Sequence, residues 1–171
     1  MPAPGAGSVS VVNPRDLLLK QLAELLWIER TLFFEVLPDV HDAAHSPELQ
    51  TLLTEHRSET RTHCSRVEDA MRSAGAEPAS AASPPLAKLK EQHDSEAQQI
   101  THPLLRDVFH CAGAVRTEHY ELACYDAAIG LARQLGVKEA AGLLEQNRDE
   151  DASALEKLEK LAGRLRDDLQ T

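Results

Sequence analysis

The chain has 171 residues, and 18 Lys and Arg stand against 28 Asp and Glu, for a formal charge of −10. That balance argues against a nucleic-acid partner, because phosphate binding needs clustered cations, and no apolar run approaches the ~20 residues of a membrane span. The N-terminus carries neither the basic nor the apolar region of a secretory signal. Cys64, Cys111 and Cys124 form an odd, unpatterned set that suits reduced thiols, so a cytoplasmic protein is expected.

Aromatic residues make up 4% of the chain, and Leu, Ala, Glu, Gln, Arg and Lys dominate, a composition that favours helices. Residues 1–12 are rich in Gly, Ala, Pro and Ser and read as a flexible segment. Residues 13–171 read as one helical domain. Asn13-Pro14 is an N-cap followed by proline in the first turn. Helix one is expected from Pro14 to Leu37, stopped by Pro38, with Leu18, Leu22, Leu25, Glu29, Leu32 and Val36 at alternating four- and three-residue steps. Glu29 interrupts an otherwise aliphatic seam.

Ser46-Pro47 repeats the cap-plus-proline start, and helix two is expected from Pro47 to Ala74 with Gly75 as its stop. Its seam runs Leu52, His56, Glu59, His63 and Val67, so three consecutive seam positions are metal-ligand types. A Pro- and Ser-rich linker follows, then a short, weakly amphipathic helix over about Leu86 to Gln99. Helix three is expected from Pro103 to Leu135, with Gly136 as its stop. Its seam passes through Cys111, Val115, Leu122, Tyr125 and Ile129, and places Glu118 inside, with Glu121 one turn on. Helix four is expected from Val137 to Leu169. There the tracks through Asp151 and through Glu150 fit almost equally well, and periodicity leaves both open.

Short turns make antiparallel hairpins of helices one and two and of helices three and four. The long middle connection can cross the length of the bundle. That is a ferritin-like four-helix bundle with a short extra helix in the crossover between helices two and three. Each polar cluster falls near the middle of its helix, so the fold can bring all four to one level. Buried carboxylates without partners cost several kcal/mol each against ~5–15 kcal/mol of net stability. No Lys or Arg occupies the seams at this level. Cations are the economical counter-charge, and oxygen-rich donors with one or two imidazoles suit iron or manganese.

The run Glu118-His119-Tyr120-Glu121-Leu122-Ala123 resembles a signature of the YciF-like stress proteins, a ferritin-like family. The likeness extends to His56-x-x-Glu59-Thr60, Leu131-Ala132-x-x-Leu135-Gly136 and Ala140-Ala141-x-Leu143-Leu144. The resemblance implies a homodimer with a non-haem di-iron site. It implies Glu29, His56, Glu59, Glu118, Glu121 and Glu150 as ligands, and favours Glu150 over Asp151. His63, four residues after Glu59, is a further imidazole candidate. The chain departs from the usual di-iron pattern, which places Glu-x-x-His on two helices: Thr62 and Ser153 stand where the histidines would fall, and Gln146 and Asn147 stand where the resembled family often has a second acidic residue. Glu-x-x-Glu on helix three resembles rubrerythrin-type sites.

The expected function is therefore a stress protein binding two irons, with manganese as the other candidate, that reacts with dioxygen or peroxide. Glu59 and Glu150 would bridge the ions, with Glu29, Glu118 and Glu121 terminal. The competing expectation is a non-enzymatic helical protein that acts through self-association, its cluster empty. His119 points away from Glu118 by about 100°, Tyr125 reads first as core packing, and the remaining histidines read as surface or packing residues.

Overall fold

The computed structural model describes residues 10–170, so most of the expected flexible segment lies outside the described residues. Helix α1 (Pro14–Thr31) starts where Asn13 accepts the backbone N–H of Asp16 at 2.9 Å. It buries Leu18, Leu22, Leu25 and Glu29, as the spacing predicts, together with Leu26 and Ile28.

Pro38 does not stop the first helix. The chain passes through one π-helical turn, Leu32–Val36, and continues as α2 (Leu37–Ala43), with Pro38 in its first turn. Widening the turn explains how proline is accommodated. Leu37 N–H bonds Leu32 C=O, five residues back, and the next acceptor in that pattern, Phe33 C=O, faces a residue with no N–H. Arg57 Nε donates to that carbonyl at 3.0 Å, so the orphan is satisfied from the neighbouring helix.

Helix α3 (Pro47–Ser73) begins at Ser46, whose hydroxyl accepts Leu49 N–H at 3.3 Å. It ends before Gly75, whose φ of +79° only glycine adopts cheaply. The short helix is α4 (Pro84–Ala97), followed by α5 (Pro103–Gln134) and α6 (Lys138–Asp168), with Gly136 at φ +74° between these two.

Helices α1, α3, α6 and α5 form a closed ring in which each packs on the next. Arg15 bonds the carbonyls of Ala74 and Gly75, which places the end of α3 beside the start of α1. At the other end, the buried Asp107 of α5 accepts the backbone N–H groups of His45 and Ser46 at 2.8 and 2.7 Å. The crossover from α3 to α5 therefore runs the length of the bundle. On the way Ala81 N–H bonds Ala23 C=O of α1, and Ser83 meets the Tyr120 hydroxyl of α5 at 2.9 Å. The result is the expected ferritin-like arrangement. Two apolar clusters, one around Leu22, Val67, Ile129 and Leu144 and one around Ile28, Leu49, Leu158 and Leu161, fill the two ends. The polar residues lie between them.

Candidate metal centre

Glu29, His56, His63, Glu118, Glu121 and Asp151 converge from α1, α3, α5 and α6, each at most 6% exposed. Their ligand-type atoms form two groups, each within 4.8 Å: Glu29, His63 and Asp151 in one, and His56, Glu118 and Asp151 in the other. Asp151 belongs to both. His56 Nε2 approaches Glu118 Oε1 at 3.0 Å, while His63 Nδ1 lies 3.4 Å from Glu29 Oε1 and 3.5 Å from Asp151 Oδ1. These approaches are ion-pair distances without hydrogen-bond alignment, because His56 Nε2 and His63 Nδ1 both lack a hydrogen-bond partner. Glu29 Oε2, Glu118 Oε2, Glu121 Oε2 and both oxygens of Asp151 are also buried without one. So many orphaned donor atoms in one place is rare in a folded core.

Helical spacing explains which residues enter. On α3 the inward track is His56, Thr60, His63 and Val67. Thr60 turns its hydroxyl back to His56 C=O at 2.8 Å. Glu59 is consequently half-buried, 3.5 Å from His56 Nδ1. On α6, Asp151 takes the inner position that the resemblance gave to Glu150, and Glu150 sits at the edge with 35% of its side chain exposed. His63 Nε2 lies 2.9 Å from Glu150 Oε2, and Arg66 donates to the same oxygen at 2.8 Å. Arg66 is thus a cation at this level that the seam pattern did not reveal. It reaches in from one turn beyond His63, and also bonds Asn147 Oδ1 at 3.1 Å.

Glu121 is buried beside the two groups but belongs to neither. Tyr125 has a polar role as well as packing: its hydroxyl donates to Glu29 Oε1 and accepts from Asn147 Nδ2 at 3.0 Å. Asn147 also bonds His63 C=O at 3.2 Å. His119 is exposed near Glu159, away from the cluster as expected. Glu55 is exposed and faces Lys157.

The electrostatics follow from burial among like charges. Burial raises the Glu121 carboxyl well above its usual range, and the charges of Asp151, Glu118 and Glu29 add to this. Burial with Glu29 and Glu118 pushes Asp151 up to about 8. Burial alone would lower His63, but Glu29, Asp151 and Glu150 outweigh it and raise the ring to about 9. His56 is raised likewise, burial being overcome by Glu118, Glu59 and Asp151. At the edge, the hydrogen bond from His56 lowers Glu59. Burial would raise Glu150, but Arg66 and His63 bring it below its usual value.

Two openings reach Glu118. One is a small cleft walled by His56, Glu59, Ala154 and Leu158. The other is a larger cavity of about 70 Å³ beneath α4.

Residues 13–169 match the model of a family described as a domain of unknown function, DUF892. The chain belongs to this family. The chain is also similar to the protein YciF of Escherichia coli, at 41% identity over 58 residues, which is 34% of this chain and 35% of YciF. The matched stretch thus spans about a third of that relative. The whole fold is similar to two solved structures at a TM-score of 0.86. One is YcfI from Rhodopseudomonas palustris, 28% identical, covering 89% of this chain and 96% of that one. The other is the E. coli stress protein YciF, 25% identical, covering 92% and 99%. The YciF-like resemblance read from Glu118–Ala123 is therefore borne out. Among the described residues no helix is long and apolar enough to cross a membrane.

Proposed function

We propose that the cluster is a centre for two divalent cations, iron first and manganese second, and that a cytoplasmic homodimer uses it against dioxygen or peroxide in a stress response. The observation that carries the reading is Asp151, which is shared by two buried three-residue donor groups and has no hydrogen-bond partner at either carboxylate oxygen. The donor set fits the ions: carboxylates with one imidazole per group suit iron or manganese, whereas thiolate-rich sites suit zinc. Glu29, His63 and Asp151 would hold one ion, and His56, Glu118 and Asp151 the other. Glu59 and Glu150 stand at the open edges, and Glu121 lies in reserve behind Glu118. Bound iron supplies a one-electron couple and open positions for a small oxidant.

The chain supplies the rest. Tyr125 and Asn147 fix the orientation of Glu29, in the way outer partners orient metal ligands. The two apolar clusters exclude water from either end of the site. The cleft at Glu59 leaves a path for a small molecule. The cysteines are all free thiols, in keeping with a reducing compartment. The test is metal analysis after expression in iron-supplemented medium. Roughly two equivalents per chain are expected, falling sharply in Asp151→Asn and Glu118→Ala; less than one equivalent, unchanged by either substitution, overturns the reading.

A second reading, self-association with an empty cluster, draws support from the charge state of the cluster itself. Its histidines are raised, as are Asp151 and Glu121, so protons alone can bring it toward neutrality. It predicts that Glu118→Leu raises the melting temperature while added iron does not. The metal reading predicts iron-dependent stabilisation, because a ligand of the folded state stabilises it by mass action.

A further inference from the structure

The two donor groups of the cluster are built alike. In each, one ring nitrogen of a histidine faces the inner carboxylates and the other faces a carboxylate at the edge. His56 turns Nε2 toward Glu118 and Nδ1 toward Glu59 Oε2 at 3.5 Å. His63 turns Nδ1 toward Glu29 and Asp151, and Nε2 toward Glu150 Oε2 at 2.9 Å. A carboxylate on the outer nitrogen orients a ligand imidazole and raises its basicity, and both halves have one.

Arg66 breaks the likeness. Its guanidinium donates to Glu150 Oε2 at 2.8 Å, the same oxygen that His63 Nε2 faces, and to Asn147 Oδ1 at 3.1 Å. Asn147 is fully buried, and its Nδ2 donates to both His63 C=O and the Tyr125 hydroxyl. With both amide hydrogens committed, its Oδ1 stays turned to the guanidinium. Arg66 is therefore a positive charge anchored on the His63 half. Among the described residues no Lys or Arg is paired with Glu59 or Glu118. Lys157 acts on Glu59 only from a distance, and is itself paired with the exposed Glu55 at 3.7 Å. The halves differ in access as well. His56, Glu59 and Glu118 line the small cleft, whereas Glu29, His63 and Asp151 line neither opening.

Resting on the two-cation reading, we propose that Arg66 makes the two positions unequal. The position of His56, Glu118 and Asp151 takes the first divalent cation, and the guanidinium holds the position of Glu29, His63 and Asp151 weak. Two effects of one charge act in the same direction. Arg66 repels a second cation directly, and it neutralises Glu150, the carboxylate that would otherwise support His63. The His56 half keeps the full charge of Glu59 in the corresponding place. Solvent moderates the effect, since 20% of the Arg66 side chain is exposed. A unit charge acting on a divalent ion across a partly screened site still changes affinity by roughly tenfold or more.

The experiment titrates metal-free, full-length protein with cobalt(II), following visible absorption and binding heat. Wild type is expected to bind two equivalents in separate steps, the second roughly tenfold weaker or more. Glu29→Gln should keep the tight step and lose the weak one, and Glu118→Gln should keep only the weak one. Arg66→Gln should tighten the second step roughly tenfold and leave the first within about twofold. Arg66→Lys, which keeps the charge, should keep the second step weak. Two equal steps in wild type, loss of the tight step in Glu29→Gln, no tightening in Arg66→Gln, or equal tightening in Arg66→Lys overturns the proposal while the two-cation reading stands. Less than one equivalent bound by wild type overturns both.

Discussion

Tyr125 and Glu29 are 96 residues apart in sequence and joined by a hydrogen bond at the centre of the bundle, both essentially without solvent exposure. The phenol is held there from its other side by Asn147, which also bonds the backbone of His63. One tyrosine thus ties α1, α5 and α6 together, and through Asn147 reaches α3. Tyr125→Phe removes the donor to Glu29 and one acceptor for Asn147 while leaving the ring in place. We expect a loss of about 1–3 kcal/mol, which for a domain of this size lowers the melting temperature by roughly 2–4 °C per kcal/mol. Iron affinity should fall by about 10–100-fold, the usual effect of losing a ligand's supporting partner. Calorimetric melting with and without iron checks both.

Asp151→Asn separates the two demands on this residue. In the metal-free protein its carboxyl is raised from 3.8 to about 8 by burial beside Glu29 and Glu118. A folded-state value above the unfolded one means that ionisation opposes folding. The favourable contribution of the protonated form is complete below about 3.8 and is lost as pH rises toward 8. The asparagine does not ionise, so the metal-free variant should gain on wild type steadily between pH 4 and 8, by on the order of 1–3 kcal/mol at the upper end. With iron present the order should reverse, because the variant loses the residue common to both donor groups. Denaturant titrations across this pH range, with chelator and then with iron, read both signs.

His110 shows the opposite dependence for a base. Burial and the adjacent His93 lower it from 6.5 to about 4, so the unfolded chain takes up the proton first. The stability contributed by the neutral ring is complete above about 6.5 and is lost as pH falls to about 4. His110→Gln should flatten this part of the pH–stability curve, and the difference between wild type and variant should shrink by roughly 1–3 kcal/mol across the window. Melting curves at half-unit pH steps give the comparison.

The bundle was legible because its information is local. Proline and glycine mark each end of α3, and the four- and three-residue steps through Leu18, Leu22 and Leu25 name the buried face. The same rule found Glu29, His56, His63, Glu118 and Glu121, all buried. It could not separate Asp151 from Glu150, since adjacent helix positions differ by only about 100° and both tracks carried apolar neighbours. The tertiary environment resolves them: Arg66 and His63 hold Glu150 at the edge, and Asp151 turns inward. Arg66 escaped because a long side chain reaches the site from outside the seam. Glu59 was placed fully on the seam, but the inward track follows Thr60 instead.

The passage through Pro38 was hidden for a related reason. A π turn depends on a carbonyl finding a partner elsewhere, and that partner, Arg57, lies 24 residues from Phe33. Its guanidinium also sits 4.9 Å from the Phe33 ring centroid. Arg57→Ala should therefore do more than an exposed substitution usually does. It leaves the Phe33 carbonyl to solvent and removes a cation–π contact, so a cost of about 1 kcal/mol is expected. Arg57→Lys should recover only part of it, since a single ammonium cannot both donate to the carbonyl and lie flat on the ring. Local opening should rise at the turn while the rest of α1 stays protected, so amide hydrogen exchange of Leu37 should speed up in Arg57→Ala and that of Leu22 should not. Equal acceleration at both amides would instead mean that Arg57 acts on global stability, with no particular hold on the π turn.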